Sequence, residues 1–430
     1  MLRDRTAEPV ELTTDSLDLT GIIHPGDTLV WGQGTAEPRA LTRALVAQRN
    51  AIVGGGKRLN LFLGVTRGDT LQVEQADAFR FFGFGGMGET SRLTKVGAVD
   101  VMPIRLGSVT QLIRQGVVEL DVVLVQLSEP RNGVCSTGLV GDMLQEAIRR
   151  ARVVIAEVNP NVPFSHGDTQ VAWSDLDYVV RTDDPLMEWP AAKQSADAQR
   201  IAGLIADRIP DGATVQLGIG AVPDATASAL AGAGKKDLGY HSGMMTDAVL
   251  DLIEAGVITN SRKQIDSGVT VTGLVFGSHR LASWADDNPA LGVRSLDHTH
   301  GPRALSAFDD FWAVNSAIEV DLYGQVNAEM MNGRYAGGIG GQLDFVRAAM
   351  TSTRGRSVIA FPASAAKGAV SRIVNRLADG VVTTPRADAD LFVTEFGVAD
   401  LRGVPLDERP GRLIAIAHPD HRAALSDALR

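Results

Sequence analysis

Cysteine is nearly absent from this chain of 430 residues: Cys135 stands alone, which excludes an internal disulfide and a cysteine-cluster metal site. We read that thiol as a small buried or loop residue. Basic charge is also short. With 41 Lys and Arg against 51 Asp and Glu the formal charge is −10, and no Lys/Arg stripe of the kind that holds phosphate backbones is visible, so nucleic acid is not an expected partner. Aromatic residues make up only 5% of the chain, too few for a base-stacking platform. No apolar run approaches the roughly 20 residues that cross a bilayer. The start, Met1-Leu2-Arg3-Asp4-Arg5-Thr6-Ala7-Glu8, lacks the apolar core of a signal peptide. The expectation is a cytoplasmic protein with no membrane partner.

Glycine, by contrast, is plentiful at 46 residues, and 44% of the chain is hydrophobic, which suits an α/β scaffold rich in tight turns and large enough for two domains. One segment occurs twice, about half a chain apart. His24-Pro25-Gly26-Asp27-Thr28-Leu29-Val30-Trp31-Gly32-Gln33-Gly34, then Pro38 and Ala44-Leu45, lies over Pro210-Asp211-Gly212-Ala213-Thr214-Val215-Gln216-Leu217-Gly218-Ile219-Gly220, then Pro223 and Ala229-Leu230. Each copy reads as a Gly turn, a short apolar strand, a Gly-x-Gly loop and a helix opened near Pro. That order aims free backbone N–H groups at an anion. A lone Gly-x-Gly is weak evidence. Its repetition predicts a duplicated α/β protein of two related domains with a cleft between them.

Short β-branched runs alternate with helical patterns, as in parallel sheets covered by helices. Val122–Leu127 and Val153–Ala156 read as buried strands of the first half, and Ser357–Phe361 plays that part in the second. Thr182–Pro190 is polar and punctuated by Pro, so the linker is placed there and the domains at 1–187 and 188–430. Ala192–Arg208 is expected to form a helix leading into the second copy, as Thr13–Gly21 leads into the first. Asp297-His298-Thr299-His300 alternates two imidazoles with no third ligand in evidence, and no metal site is expected.

The densest functional pattern is Glu319-Val320-Asp321-Leu322-Tyr323-Gly324-Gln325, followed by Ala336-Gly337-Gly338-Ile339-Gly340-Gly341-Gln342-Leu343-Asp344-Phe345. Four glycines among five positions remove every Cβ that would keep a ligand from the main chain. Such a loop can hold an oxyanion or a pantetheine arm, or it can be a tight turn between strands.

These residues resemble the acetyl-CoA hydrolase/transferase family. The resemblance runs through Val154-Ile155-Ala156-Glu157-Val158-Asn159 with His166-Gly167-Asp168, Gly218-Ile219-Gly220-Ala221-Val222-Pro223, the glycine-rich loop to Phe345, Val393-Thr394-Glu395-Phe396-Gly397 and Ile416-Ala417-His418-Pro419. It implies two similar open α/β domains. It also implies a ping-pong CoA transfer in which a glutamate attacks the thioester and then carries CoA to a second carboxylate. The ligands implied are an acyl-CoA and a small carboxylate, with no metal or organic cofactor beyond CoA. The oligomeric state is left open, a homo-oligomer included. Gly218, Ile219, Gly220, Ala221, Gly338, Gly340 and Gly341 are the expected CoA-binding positions.

The family's nucleophile sits in a His-Ser/Thr-Glu-Met motif, whereas this chain reads His241-Ser242-Gly243-Met244, so the matching position is Gly243. A glycine cannot form an acyl anhydride. Three explanations stand: another carboxylate takes the role, with Glu37, just past the first Gly-x-Gly, the leading candidate and Glu89 the next; the reaction is direct, without a covalent glutamyl adduct; or the chain binds CoA thioesters without turning them over. Glu329 and Glu395 read as structural. His241, beside the altered position, could orient a water or the acyl carboxylate, although a hydrogen-bonded structural histidine is the slightly favoured reading. Three functions follow: a CoA-transferase between a short acyl-CoA and a small carboxylic acid; an acyl-CoA hydrolase in which the space vacated at Gly243 admits water; and a protein that binds CoA thioesters without turnover.

Overall fold

The computed structural model describes residues 8–429. The chain forms two compact units, Met1–Pro190 with Thr272–Asp297, and Ala191–Val271 with His298–Arg430. The change of unit after Pro190 falls in the Pro-punctuated stretch, close to the expected boundary at 187/188. A single cut is not what is seen, because Thr272–Asp297 returns to the first unit. Backbone hydrogen bonds tie it there: the Gly141 N–H donates to the Gly273 carbonyl at 2.9 Å, Val275 N–H to Leu139 at 2.9 Å and Val293 N–H to His166 at 2.8 Å. No helix among the described residues is long and apolar enough to cross a membrane.

The first unit is built on an eight-stranded sheet, in spatial order Val10–Leu12, Tyr178–Arg181, Val153–Val158, Val122–Leu127, Thr28–Trp31, Leu59–Leu63, Phe79–Gly83 and Val99–Val101. Every neighbouring pair is parallel. All six residues of Val122–Leu127 are buried, as are all six of Val153–Val158. That is the reason both read as continuous apolar runs: a parallel strand covered on both faces has no polar side. The helix Arg39–Ile52 lays Leu41, Leu45 and Ile52 on a core made with Leu29, Trp31, Leu61, Phe79 and Phe81. The expected helix over Thr13–Gly21 is instead one 3₁₀ turn, Thr14–Ser16, followed by irregular chain. There the Asp18 carboxylate accepts from Thr20 N–H at 2.9 Å and from its hydroxyl at 2.7 Å, a local bond that competes with helix.

The second unit carries a six-stranded sheet in the order Gly239–Tyr240, Thr214–Leu217, Phe311–Asn315, Arg356–Ala360, Leu391–Thr394 and Gly397–Asp400. Its strands are parallel except for the last pair. The helix entering this unit begins at Ala196 rather than Ala192, because the Ser195 hydroxyl accepts from Ala198 N–H and caps it. One core cluster gathers Val320, Leu322, Val346, Ile359, Phe361 and Phe392, and another packs Phe308, Phe311 and Phe345.

Candidate active site

In the second sheet, Thr214–Leu217 stands between Gly239–Tyr240, the next strand of the sheet along the chain, and Phe311–Asn315, where winding resumes on the other side. Ligands of open α/β sheets bind beyond the carboxyl end of such a switch point. Gly218-Ile219-Gly220 leaves the strand at that end. All three residues are half-buried, and Gly220, at φ +116°, precedes the helix Ala221–Gly232. A Cβ built on Gly220 would meet no heavy atom within 4 Å. The N–H groups of the first helical turn, from Ala221 on, have no partners within the helix, which suits an anion.

The neighbouring segment is tied to this loop, since the Ser242 hydroxyl donates to the Leu217 carbonyl at 2.8 Å. Gly243 follows and is buried. The His300 imidazole fills the space that the missing side chain would leave, the space that the hydrolase alternative gives to water. A Cβ on Gly243 would lie 2.7 Å from His300 Cε1 and 2.8 Å from Nε2, and a Cβ on Gly341 would overlap the same Nε2. The imidazole is wedged between two glycines, one from each motif, with the Phe345 ring 4.6 Å away centre to centre. Its Nδ1 is 2.8 Å from the Thr299 hydroxyl. Burial pushes His300 down to about 3, so the ring is neutral.

The glycine-rich loop is held from below by Glu329, whose carbonyl accepts from Ala336 N–H at 2.7 Å and Gly337 N–H at 3.0 Å. Gly338 is half-buried, Gly340 is buried with φ +55°, and Gly341 caps the helix Gln342–Thr351. This unit thus brings together Gly243 and Gly341, with His300 between them, and ties the Ser242–Gly243 segment to the end of the strand that Gly218 follows.

His241 has other partners. Its Nε2 lies 3.2 Å from the Thr299 carbonyl and 3.3 Å from that of His298, and the ring meets Phe308 edge-on at 4.9 Å. Fully buried and pushed down to about 3 by desolvation, it is a neutral donor that fixes the segment leading to His300. Glu37 belongs to the first unit and is only 4% exposed. Its carboxylate accepts from the Thr42 hydroxyl at 2.7 Å and from that of Thr70, and burial pushes it up. Glu89, in the same unit, pairs with Arg92 at 3.2 Å and Arg67 at 3.5 Å. Glu329 accepts from the Thr383 hydroxyl at 2.8 Å and Glu395 from Ala363 N–H at 2.9 Å.

Sequence reasoning missed His300. The available signal was the loss of volume at Gly243, which a close-packed interior has to refill. Nothing in the spacing named the residue that would do so.

Two matches in sequence cover most of the chain: the acetyl-CoA hydrolase/transferase N-terminal domain over residues 5–188 and the C-terminal domain over residues 277–429. The chain is 37% identical over 404 residues to 4-hydroxybutyrate coenzyme A transferase from Clostridium kluyveri, covering 94% of this chain and 93% of that protein. Its fold is similar to RipA from Yersinia pestis, with a TM-score of 0.90 at 32% identity over 97% of this chain and 96% of that one. It is also similar to 4-hydroxybutyrate CoA-transferase from Porphyromonas gingivalis, with a TM-score of 0.81 at 34% identity over 98% and 97%.

Proposed function

This chain belongs to the acetyl-CoA hydrolase/transferase family, and from that premise we propose that it moves CoA between a short acyl-CoA and a small carboxylate. The observation that carries the reading is similarity along nearly the whole length, on both units, to a coenzyme A transferase. In this reading the thioester end of the acyl-CoA lies against the open Gly218–Gly220 loop and the Gly338–Gly341 turn, where main-chain N–H groups meet the developing oxyanion. CoA is a substrate, and the reaction calls for no further cofactor.

The reaction is charge-neutral overall, a carboxylate and a thioester exchanging partners. It needs positioning and oxyanion stabilisation rather than a strong base. Hydrolysis, by contrast, requires a base to take a proton from water, and a histidine held near 3 is a weak one. The test is incubation of acetyl-, butyryl- and succinyl-CoA with a panel of small carboxylates, following new thioesters by chromatography and free thiol by colour. New thioester that appears only with an acceptor supports transfer. Thiol released at the same rate without any acceptor would replace transfer by hydrolysis.

A further inference from the structure

We propose that His300 is a catalytic residue of this transfer: its Nε2–H holds the acceptor carboxylate at the place where the family glutamate is missing, so that the acceptor attacks the thioester directly. The inference rests on the transferase reading above and adds the group that replaces the protein nucleophile.

Three observations carry it. The imidazole occupies the volume beside Gly243, with Nε2 against two residues that have no side chains, Gly243 and Gly341. The Thr299 hydroxyl is within hydrogen-bond distance of Nδ1, and when it donates there the single proton of the neutral ring sits on Nε2. His241 in turn bonds the Thr299 carbonyl and fixes the turn from which His300 projects. The ring therefore takes up space that a side chain at position 243 would need, and its Nε2 lies beside both glycines.

The chemistry balances without a proton donor or acceptor. A carboxylate oxygen of the acceptor attacks the thioester carbonyl carbon; a C–O bond forms, the C–S bond breaks, and the electron pair leaves on CoA thiolate. The thiolate then attacks the acceptor's carbonyl carbon in the mixed anhydride. A C–S bond forms, the anhydride C–O bond breaks, and the donor acid departs as its carboxylate. His300 keeps its proton throughout and stays hydrogen-bonded to the carboxylate. Nucleophilic attack by Nε2 itself would place a cation on a ring that burial keeps neutral, which argues for the donor role.

Initial rates of the wild-type protein, with acyl-CoA and carboxylate varied together, provide the test. Direct attack requires a ternary complex and intersecting reciprocal plots, and no enzyme ester is trapped by borohydride or hydroxylamine. Parallel plots or a trapped ester would overturn the proposal while leaving transfer intact. Absence of exchange with every pair would overturn the transferase reading itself, and the role of His300 with it. Two substitutions separate catalysis from packing. His300→Gln keeps an N–H donor, whereas His300→Phe keeps a ring against Phe345 and removes the donor. His300→Phe is expected to lower kcat/KM for the carboxylate about 100-fold, the size of losing one donor at a reacting centre. His300→Gln should retain most of the rate, with CoA affinity unchanged in both. If Phe sustains exchange as well as Gln does, His300 is a plug and the proposal fails.

Discussion

The two copies of the Gly-x-Gly segment occupy the same place in their sheets and are surrounded in opposite ways. Each follows a strand at a switch point, Thr28–Trp31 in one unit and Thr214–Leu217 in the other. Around the first copy, every residue from Trp31 to Pro38 is buried. Gln33 bonds inward, accepting from Val65 N–H and donating to Asp142, each at 2.8 Å, and Gly34 lies under Phe276, which stacks on Trp189 at 4.6 Å. Around the second copy, Gly220 has open space. The repeat keeps the order of strand, glycine turn and helix, although the helix starts directly after Gly220 and only at Arg39 after Gly34. Access depends on what distant residues bring to it.

The sharpest way to break this comparison is to add the same methyl group to both. Gly34→Ala would drive a Cβ into the Phe276 ring at φ +58°, and overpacking together with left-handed strain should cost roughly 3 kcal/mol. Gly220→Ala has room and meets only the cost of its positive φ, about 1–3 kcal/mol, without the clash that adds to it at Gly34. Chemical denaturation of the two variants should therefore differ clearly. Equal losses would mean that the two loops are equally packed.

The next largest effect tests what fills Gly243. Gly243→Glu alone has to displace the His300 ring, at about 1–3 kcal/mol, and should yield no covalent CoA adduct. Combining it with His300→Ala makes room. The double variant should then form a borohydride-reducible CoA ester that maps to position 243 and show parallel reciprocal plots. If the single variant melts at the wild-type temperature and forms the ester, the imidazole does not occupy that space.

Much of the architecture was legible for a simple reason. Buried parallel strands such as Val122–Leu127 must be apolar on both faces, and the turns at Gly26 and Gly212 both require positive φ. Three things were not legible. The return of Thr272–Asp297 to the first unit depends on backbone bonds, which carry no side-chain signature. The closure of the first Gly-x-Gly depends on Phe276, far away in sequence. The pairing of Gly243 with His300 is also a packing relation between distant positions, and a glycine announces only that a side chain is absent.

A difference in buried titratable groups gives a smaller, pH-dependent test of the same comparison. In the second unit His241 and His300 are pushed down to about 3 from the ordinary 6.5. Between those values the unfolded chain binds protons that the folded chain does not. Stability is then lost as pH falls below about 6.5, by about 1.4 kcal/mol per pH unit for each histidine. In the first unit burial pushes Asp142 up to about 6 from 3.8, so in that window the folded state holds the extra proton and stability rises as pH falls. Asp142→Asn should therefore steepen the acid loss measured by urea midpoints at pH 7, 6 and 5. An unchanged slope would show that Asp142 is not the opposing group.

The smallest effect is expected at Glu37, which asks whether the closed copy carries any chemistry. The Thr42 and Thr70 hydroxyls donate to its buried carboxylate. In Glu37→Gln the amide oxygen can accept from one hydroxyl while the amide N–H donates to the other, because a hydroxyl serves as either partner. The substitution also removes a charge that burial disfavours. Stability should change by less than about 1 kcal/mol, and exchange should stay within about five-fold of wild type, again under about 1 kcal/mol of barrier. A relocated nucleophile behaves otherwise: the amide cannot attack a thioester, so exchange would vanish while acyl-CoA binding persisted. Loss of exchange in Glu37→Gln, with a trapped ester mapping to that position in the wild type, would assign the reaction to the closed copy and sink the role given to His300.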